Sequence, residues 1–563
     1  MERVWWKEAV GYQIYPRSFQ DSNGDGIGDL QGIISRLDYL KQLGIDFIWI
    51  CPMYKSPLDD NGYDISDYRD ILDDFGTMAD FDELLNEVHN RGMRLIIDLV
   101  PNHTSDEHPW FIESRQSKNS PKRDWYIWRD PKADGSEPNN WESIFGGSAW
   151  EYDDKTGQYY LHVFSRRQPD LNWENPDVRQ AIYDMINWWL EKGVDGFRID
   201  ALSHIKKRPG LPDMPNPKGL TYVPSFKMHM NQEGIHAFLQ ELKDHTYGND
   251  PNVMTVGEAN GVSAKNADEW VGKNNGKMDM VFQFEHLDLW DYEVASDLDV
   301  LELKKTLSRW QKGLEHDGWN ALFIENHDKA RVVSTWGDDT TYWKESATAL
   351  GAMYFLMKGT PYIYQGQEIG MTNIYFDAIA DYDDVAALNF YNEETAAGKD
   401  PQEVLEILAH TSRDNSRTPM QWDKTDQAGF TDGTPWMKVN PNYQAGVNTA
   451  DQTADPESIL SFYRKMIRLK KSADVFTYGS YDLLMPKDEA VFAYRRELNG
   501  TTALVITNLK DEQAEWTADK EASALSAQDL QLINYPDYPD HSNALTVSLR
   551  PYEARVYILN SPA

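Results

Sequence analysis

The sequence predicts an α/β fold, a (β/α)8 TIM barrel with a domain B inserted after the third strand and an antiparallel β domain at the C-terminus. Three observations carry this prediction. Short apolar, β-branched or aromatic runs alternate with longer segments of helical period; eight such runs can be placed; and the pattern changes to short alternating strands near residue 478.

The eight runs are residues 10–15, 47–51, 94–100, 196–201, 253–257, 280–284, 321–325 and 361–365. Each is followed by a stretch long enough for a helical crossover, which is what parallel pairing requires. Residues 1–103 supply the first part of the barrel and 174–477 the remainder. The connection 104–173, rich in Trp, Tyr, Gly and Asp, is too long for a turn and predicts a small domain over the barrel mouth. A second insertion, about 374–410, contains an acidic helical stretch at 401–409. Runs at 490–495, 503–508 and 544–549 alternate as strands do in an antiparallel sheet, so 478–563 reads as a β domain.

Composition narrows the function. With 55 basic and 91 acidic residues, the net charge of −36 repels nucleic acid and anionic membrane. No apolar run approaches the length of a membrane span, and the N-terminal residues lack the apolar centre of a signal peptide, so a cytoplasmic protein is expected. A monomer is the expected state. Cys51, the single cysteine, sits in an apolar run and reads as a buried, inert thiol. The 20 Trp and 30 Tyr fall largely in loops, where aromatic rings either face sugars or pack beneath the chain.

In a barrel of this kind the chemistry sits at the C-terminal ends of the strands. Asp98, Asn102 and His103 follow the third strand, Arg198 and Asp200 end the fourth, Glu258 lies just past the fifth, and His327 and Asp328 follow the seventh. Any one of these acids could merely cap a helix. Four carboxylates at one mouth need a cationic counterpart or a function, and Arg198, two residues before Asp200 on the same strand face, supplies positive charge. One carboxylate that attacks and one carboxylic acid that protonates a leaving oxygen are what acetal cleavage requires. Asp200 and Glu258 fit these roles, leaving Asp328 to grip sugar hydroxyls and the two histidines to hydrogen bond the same ring.

The strings Asp98-Leu-Val-Pro-Asn-His103, Gly196-Phe-Arg-Ile-Asp200, Gly257-Glu258-Ala259-Asn260 and Glu325-Asn-His-Asp328 resemble, in order, the four sequence regions of the α-amylase superfamily, glycoside hydrolase family 13. Gln168-Pro-Asp-Leu-Asn172 and the segment from Arg413 to Trp422 resemble its oligo-1,6-glucosidase and α-glucosidase subfamily. The resemblance implies a retaining hydrolase with Asp200 as nucleophile, Glu258 as acid/base and Asp328 as transition-state stabiliser. It further implies that Asp64 pairs with Arg413 to close the pocket, so that attack is exo, that Tyr63 stacks under the terminal glucose, and that Phe164 contributes to the wall. Two departures from the family pattern stand out. Lys329-Ala330 follows Asp328 and predicts a more basic acceptor side, and Ser203-His204 replaces the Lys-His found after the nucleophile in amylases.

Ala201, directly after the nucleophile, resembles the small residue of α-1,4-specific members, whereas α-1,6-preferring members carry Val. Maltose-like α-1,4 oligosaccharides are therefore the expected substrate, with oligo-1,6-glucosidase or transglucosylase as the alternative. Sucrose isomerisation is disfavoured because residues 285–292 lack the Arg-rich signature of those relatives. A catalytically dead binding protein is disfavoured because every carboxylate is kept.

Finally, Asp21-Ser-Asn23-Gly-Asp25-Gly-Ile27-Gly-Asp29 alternates oxygen-bearing residues as a calcium loop does, but Gly32 stands where such a loop ends in Glu. An Asx-rich turn is the competing reading. The family resemblance implies one structural Ca2+, or Mg2+, held by Asp21, Asn23, Asp25, Asp29 and the Ile27 carbonyl.

Overall fold

The computed structural model describes residues 3–289, 298–517, 525, 527–537 and 546–560. Eight parallel strands form its centre: β1 (Gly11–Ile14), β2 (Phe47–Ile50), β3 (Arg94–Leu99), β4 (Gly196–Ile199), β5 (Met254–Glu258), β6 (Met280–Phe282), β7 (Ala321–Leu322) and β8 (Thr360–Tyr364). Their order runs β6-β5-β4-β3-β2-β1-β8-β7, and a parallel bridge between Val281 and Asn320 closes the ring between β6 and β7. All eight predicted runs contain a strand. β7 is shorter than its apolar run and covers only Ala321–Leu322.

The strands are buried on both faces, as their near-continuous Ile, Val, Phe and Trp content requires in a helix-covered parallel sheet. Local signals set the crossovers. The helix Leu30–Leu43 starts on Asp29, whose carboxylate accepts the Gly32 N–H, and stops at Gly44 in the left-handed region. The helix Pro176–Lys192 opens on Asn175 with Pro at its first position and ends at left-handed Gly193. It delivers the chain to Gly196, where a Cβ would sit 1.9 Å from the Met254 carbonyl oxygen, so only glycine lets β4 lie this close to β5.

Over the mouth, residues 104–173 contain a small antiparallel sheet of Trp128–Arg129, Trp150–Asp153 and Gln158–Leu161. The long loop after β4 joins it: Val223–Pro224 pairs in parallel with Trp141–Glu142, and Leu211 and Met228 enter the apolar cluster of Trp141, Trp150 and Leu161. Sequence pattern gave no sign of this merger. The second insertion forms two helices, Val385–Ala396 and Pro401–Thr411.

The C-terminal part is a five-stranded antiparallel sheet, with Ala514–Thr517 and Thr546–Leu549 pairing separately. Residues 544 and 545 of the expected strand 544–549, and 290–292 of the segment after the sixth strand, lie outside the described residues. Among the described residues no helix is long and apolar enough to cross a membrane. Cys51 is buried, and the Gln13 amide donates to its sulfur at 3.3 Å.

Candidate active site

Strand register assembles the centre of the site. Asp98 on β3 is the direct partner of Arg198 on β4, and Asp200, two residues on, faces the same way. Glu258 ends β5. Arg198 Nη1 donates to Asp98 Oδ1 at 2.7 Å and to Asp200 Oδ1 at 2.6 Å, and its Nη2 lies 3.2 Å from Glu258 Oε1. One buried guanidinium thus ties together three of the four expected carboxylates. Burial pushes Asp98 up to about 6 against the pull of Arg198. Burial also raises the Asp200 carboxyl; Arg198 opposes that rise, while Glu258 and Asp98 add to it.

Asp328 has its own cations. Arg413 Nη1 and Arg417 Nη2 donate to Asp328 Oδ1 at 3.2 and 3.0 Å, and His327 Nε2 lies 3.1 Å from Oδ2. Burial alone would raise this carboxyl, but His327, Arg413, Arg417 and Arg198 together hold it well below the ordinary carboxylate range. The Gln13 amide meets His327 Nδ1 at 2.7 Å and fixes the ring, which stacks on Tyr63 with centroids 5.2 Å apart. Burial depresses His327 to about 3, against the pull of Asp328.

The structure corrects the expected Asp64–Arg413 pair. Asp64 is buried under the turn 56–60, where it accepts the N–H groups of Asp59 and Asp60 and the Ser56 hydroxyl. Arg413 reaches Asp60 instead: its Nη2 lies 3.2 Å from Asp60 Oδ1. It also grips Asp384 from the second insertion, its Nε donating to both carboxylate oxygens at 3.0 and 3.1 Å. Asp59, Asp60 and Asp64 stand within six positions of one another, and only the turn decides which one faces the mouth. Asp384, 29 positions from Arg413, carried no usable sequence signal, and Arg417 stands in the segment from Arg413 to Trp422 but its partner Asp328, 89 positions away, could not be read from it.

Asp60, Asp200, Glu258, Asp328 and Arg413 line a cavity of about 570 Å3 with Tyr63, His103, Phe164 and Ala201. Two further cavities elsewhere on the molecule hold none of the four carboxylates. Phe145 completes the wall, and Arg413 lies over its ring at 5.0 Å from the centroid. Both His103 nitrogens are engaged by the protein: Nε2 donates to the Tyr63 carbonyl at 3.1 Å and Nδ1 accepts from the Asn102 amide at 3.2 Å. The Gln168 motif works from behind. Gln168 donates to Asp60 Oδ2 at 3.0 Å, and Asp170 accepts from Asn102 and pairs with Lys207.

Ala201 adopts left-handed backbone with φ of 46°, and its N–H donates to Glu258 Oε2 at 2.8 Å. A small residue is therefore favoured here by the backbone itself, independently of acceptor space. Lys329 lines the outer cavity, but so do Glu285 and Asp288, and the acceptor side is of mixed charge.

In the 21–29 loop the acids face their own backbone. Asp21 accepts the N–H groups of Asn23, Gly24 and Gly26, Asn23 accepts from Asp25, and Asp25 accepts from Ile27. Asp29 is engaged as the helix cap and by Ser22. This is a run of Asx turns. The all-oxygen donor set of Asp, Asn and a backbone carbonyl suits a hard cation, although among the described residues no three acidic, His or Cys side chains are grouped together.

Comparison with known proteins agrees with this geometry. The family described as "Alpha amylase, catalytic domain" matches residues 13–479. The chain is 58% identical over 558 residues to probable oligo-1,6-glucosidase 3 of Bacillus subtilis (strain 168), covering 99% of this chain and 100% of that protein. It is 52% identical over 570 residues to the oligo-1,6-glucosidase of Parageobacillus thermoglucosidasius, with full coverage of both. Among solved structures, the isomaltulose synthase of Protaminobacter rubrum superposes with a TM-score of 0.94 at 40% identity, again over 100% of both chains.

Proposed function

Because this chain belongs to the α-amylase family of glycoside hydrolases, we propose that it is a retaining, exo-acting α-glucosidase that removes glucose from the non-reducing end of short α-1,6-linked oligosaccharides. The observation that carries the exo reading is the ion-pair cluster at one end of the pocket, where Arg413 spans Asp60, Asp328 and Asp384. The linkage follows from the relatives named oligo-1,6-glucosidase, against the α-1,4 preference expected from Ala201. That expectation is weakened because Lys329, Glu285 and Asp288 shape the acceptor mouth as well as Ala201.

In this mechanism Asp200 attacks the anomeric carbon while Glu258 protonates the glycosidic oxygen, giving a glycosyl ester and a free acceptor. Glu258 then takes a proton from water as it attacks, and glucose leaves with its original configuration. Both carboxyls contact the same guanidinium and so stay together at the strand ends; the covalent route is the one that the family resemblance implies. The positive charge that develops on the sugar favours ionised Asp200 against its burial, and Asp328, held anionic by three arginines and His327, strengthens its hold on the ring at the same point.

The test is the ratio of kcat/KM for isomaltose over maltose. A ratio of about ten or more, equivalent to roughly 1.4 kcal/mol of differential transition-state binding, is expected. Preference for maltose would restore the α-1,4 reading, and failure to release p-nitrophenol from the α-glucoside would overturn the hydrolase reading altogether.

A further inference from the structure

A second cavity, of about 800 Å3, lies away from the catalytic pocket, where residues 104–173 meet the loop after β4. In a chain of net charge −36 its lining is unusual: Lys118, Arg123, Arg129, Lys206, Lys207 and Arg208 face it, against Asp124 and Glu174. Three of the cations are neutralised, Lys118 by Asp130, Lys206 by Glu174 and Lys207 by Asp170. The three arginines make no direct ion pair among the described residues, although Asp153 and Asp130 lie near enough to Arg123 to act on it through space. Arg123 donates only to uncharged oxygens of Ser114, Thr156 and Gln158, lies flat on Trp128 at 3.5 Å from the ring centroid, and keeps a buried Nε without a partner. Arg129 donates to the Trp128 carbonyl, and it and Arg208 are exposed at the rim, with no carboxylate in ion-pair range among the described residues.

Guanidinium forks that no carboxylate takes up stay available to a ligand, and their planar geometry suits the oxygens of phosphate. The volume exceeds what a bare phosphate fills, and Tyr126 and Trp173 complete the wall. We propose that this cavity is a binding site for a phosphate-bearing small molecule, with Arg123, Arg129 and Arg208 as its anion ligands. It is separate from the catalytic pocket and does not depend on the linkage specificity argued above.

Isothermal titration of the full chain with inorganic phosphate and with glucose 6-phosphate, at ionic strength fixed with KCl, tests this. Saturable binding of at least one probe is expected, weakened at least tenfold in Arg129→Ala/Arg208→Ala. Both positions are exposed and outside the catalytic machinery, so that variant should retain the wild-type thermal midpoint and p-nitrophenyl glucoside turnover; Arg208→Glu gives an independent loss of binding if the double variant is perturbed. Tighter binding of glucose 6-phosphate than of phosphate identifies a sugar phosphate as the ligand, and equal binding identifies free phosphate. Absence of saturable binding for both probes, or unchanged affinity in the arginine variants, overturns the proposal.

Discussion

At the scale of single residues, the pocket turns on which of two nearby acids does which task. Asp60 meets Arg413 and lines the cavity, while Asp64 holds the turn that presents Asp60. Asp60→Asn should therefore raise KM for isomaltose about tenfold or more, a loss of roughly 1.4 kcal/mol in binding, with little change in thermal midpoint. Asp64→Asn should do the reverse, lowering stability by about 1–3 kcal/mol as buried N–H donors lose an acceptor, while KM of the folded enzyme holds. Equal KM effects in the two variants would reject this division. Burial raises both acids, and Asp60 is pushed up to about 6. Burial pushes Asp64 up to about 7, above its ordinary value near 4 when unfolded. Protonation then favours the folded state, so this group's contribution to stability is complete below about pH 4 and is lost as pH rises through about 7. Unfolding free energies measured from pH 5 to 8 should fall less steeply in Asp64→Asn than in wild type.

At the scale of elements, two turns carry function. The turn after β4 places Ala201 at φ of 46°, which aims its N–H at Glu258. A β-branched side chain is strained in that region, so Ala201→Val should cost about 1–3 kcal/mol of stability and reduce kcat as the Glu258 carboxyl loses its donor. Ala201→Gly should keep both, and a valine variant with wild-type midpoint and kcat would show that the turn is not strained. The 21–29 loop is the second case. We propose that it takes one structural Ca2+ through Asp21, Asn23, Asp25, Asp29 and the Ile27 carbonyl; the ion would cross-link the loop by charge and take no part in bond cleavage. Chelation should then lower the thermal midpoint while leaving initial turnover at 25 °C intact. A midpoint indifferent to both chelator and added calcium would leave the Asx turns as the whole account.

At the scale of the molecule, the barrel and the C-terminal sheet are joined by buried cations that bind carbonyls. Arg496, fully buried, donates to the carbonyls of Ser480, Leu356, Phe476 and Gly479, at 2.8 to 2.9 Å. Lys304 does the same for Met485 and Val491 across the helix Val300–Gly313. Burial lowers Arg496 to about 10, so it remains charged at neutral pH. Arg496→Met should strip four carbonyls of their donor and cost at least about 3 kcal/mol, seen as a lower midpoint in thermal or urea unfolding. Its KM at 25 °C should match wild type because the seam is far from the pocket, and an unchanged midpoint would mean the seam does not hold the two parts together.

The sequence by itself determined the barrel, because eight buried parallel strands must be continuous apolar runs separated by helical crossovers, and that pattern survives in one dimension. It also determined the core of the site: Asp98, Arg198, Asp200 and Glu258 lie at strand ends, where period-two alternation and adjacent register leave them no choice but to meet. What lay on loops was decided only by the tertiary structure. Asp60 rather than Asp64 faces Arg413 because the turn 56–60 closes over Asp64. Asp384 enters from the second insertion, the loop after β4 joins the small sheet above the mouth, and Ala201 is left-handed for the sake of Glu258. None of these depends on a local pattern; each depends on which distant segment supplies the partner, and that is fixed only when the chain is folded.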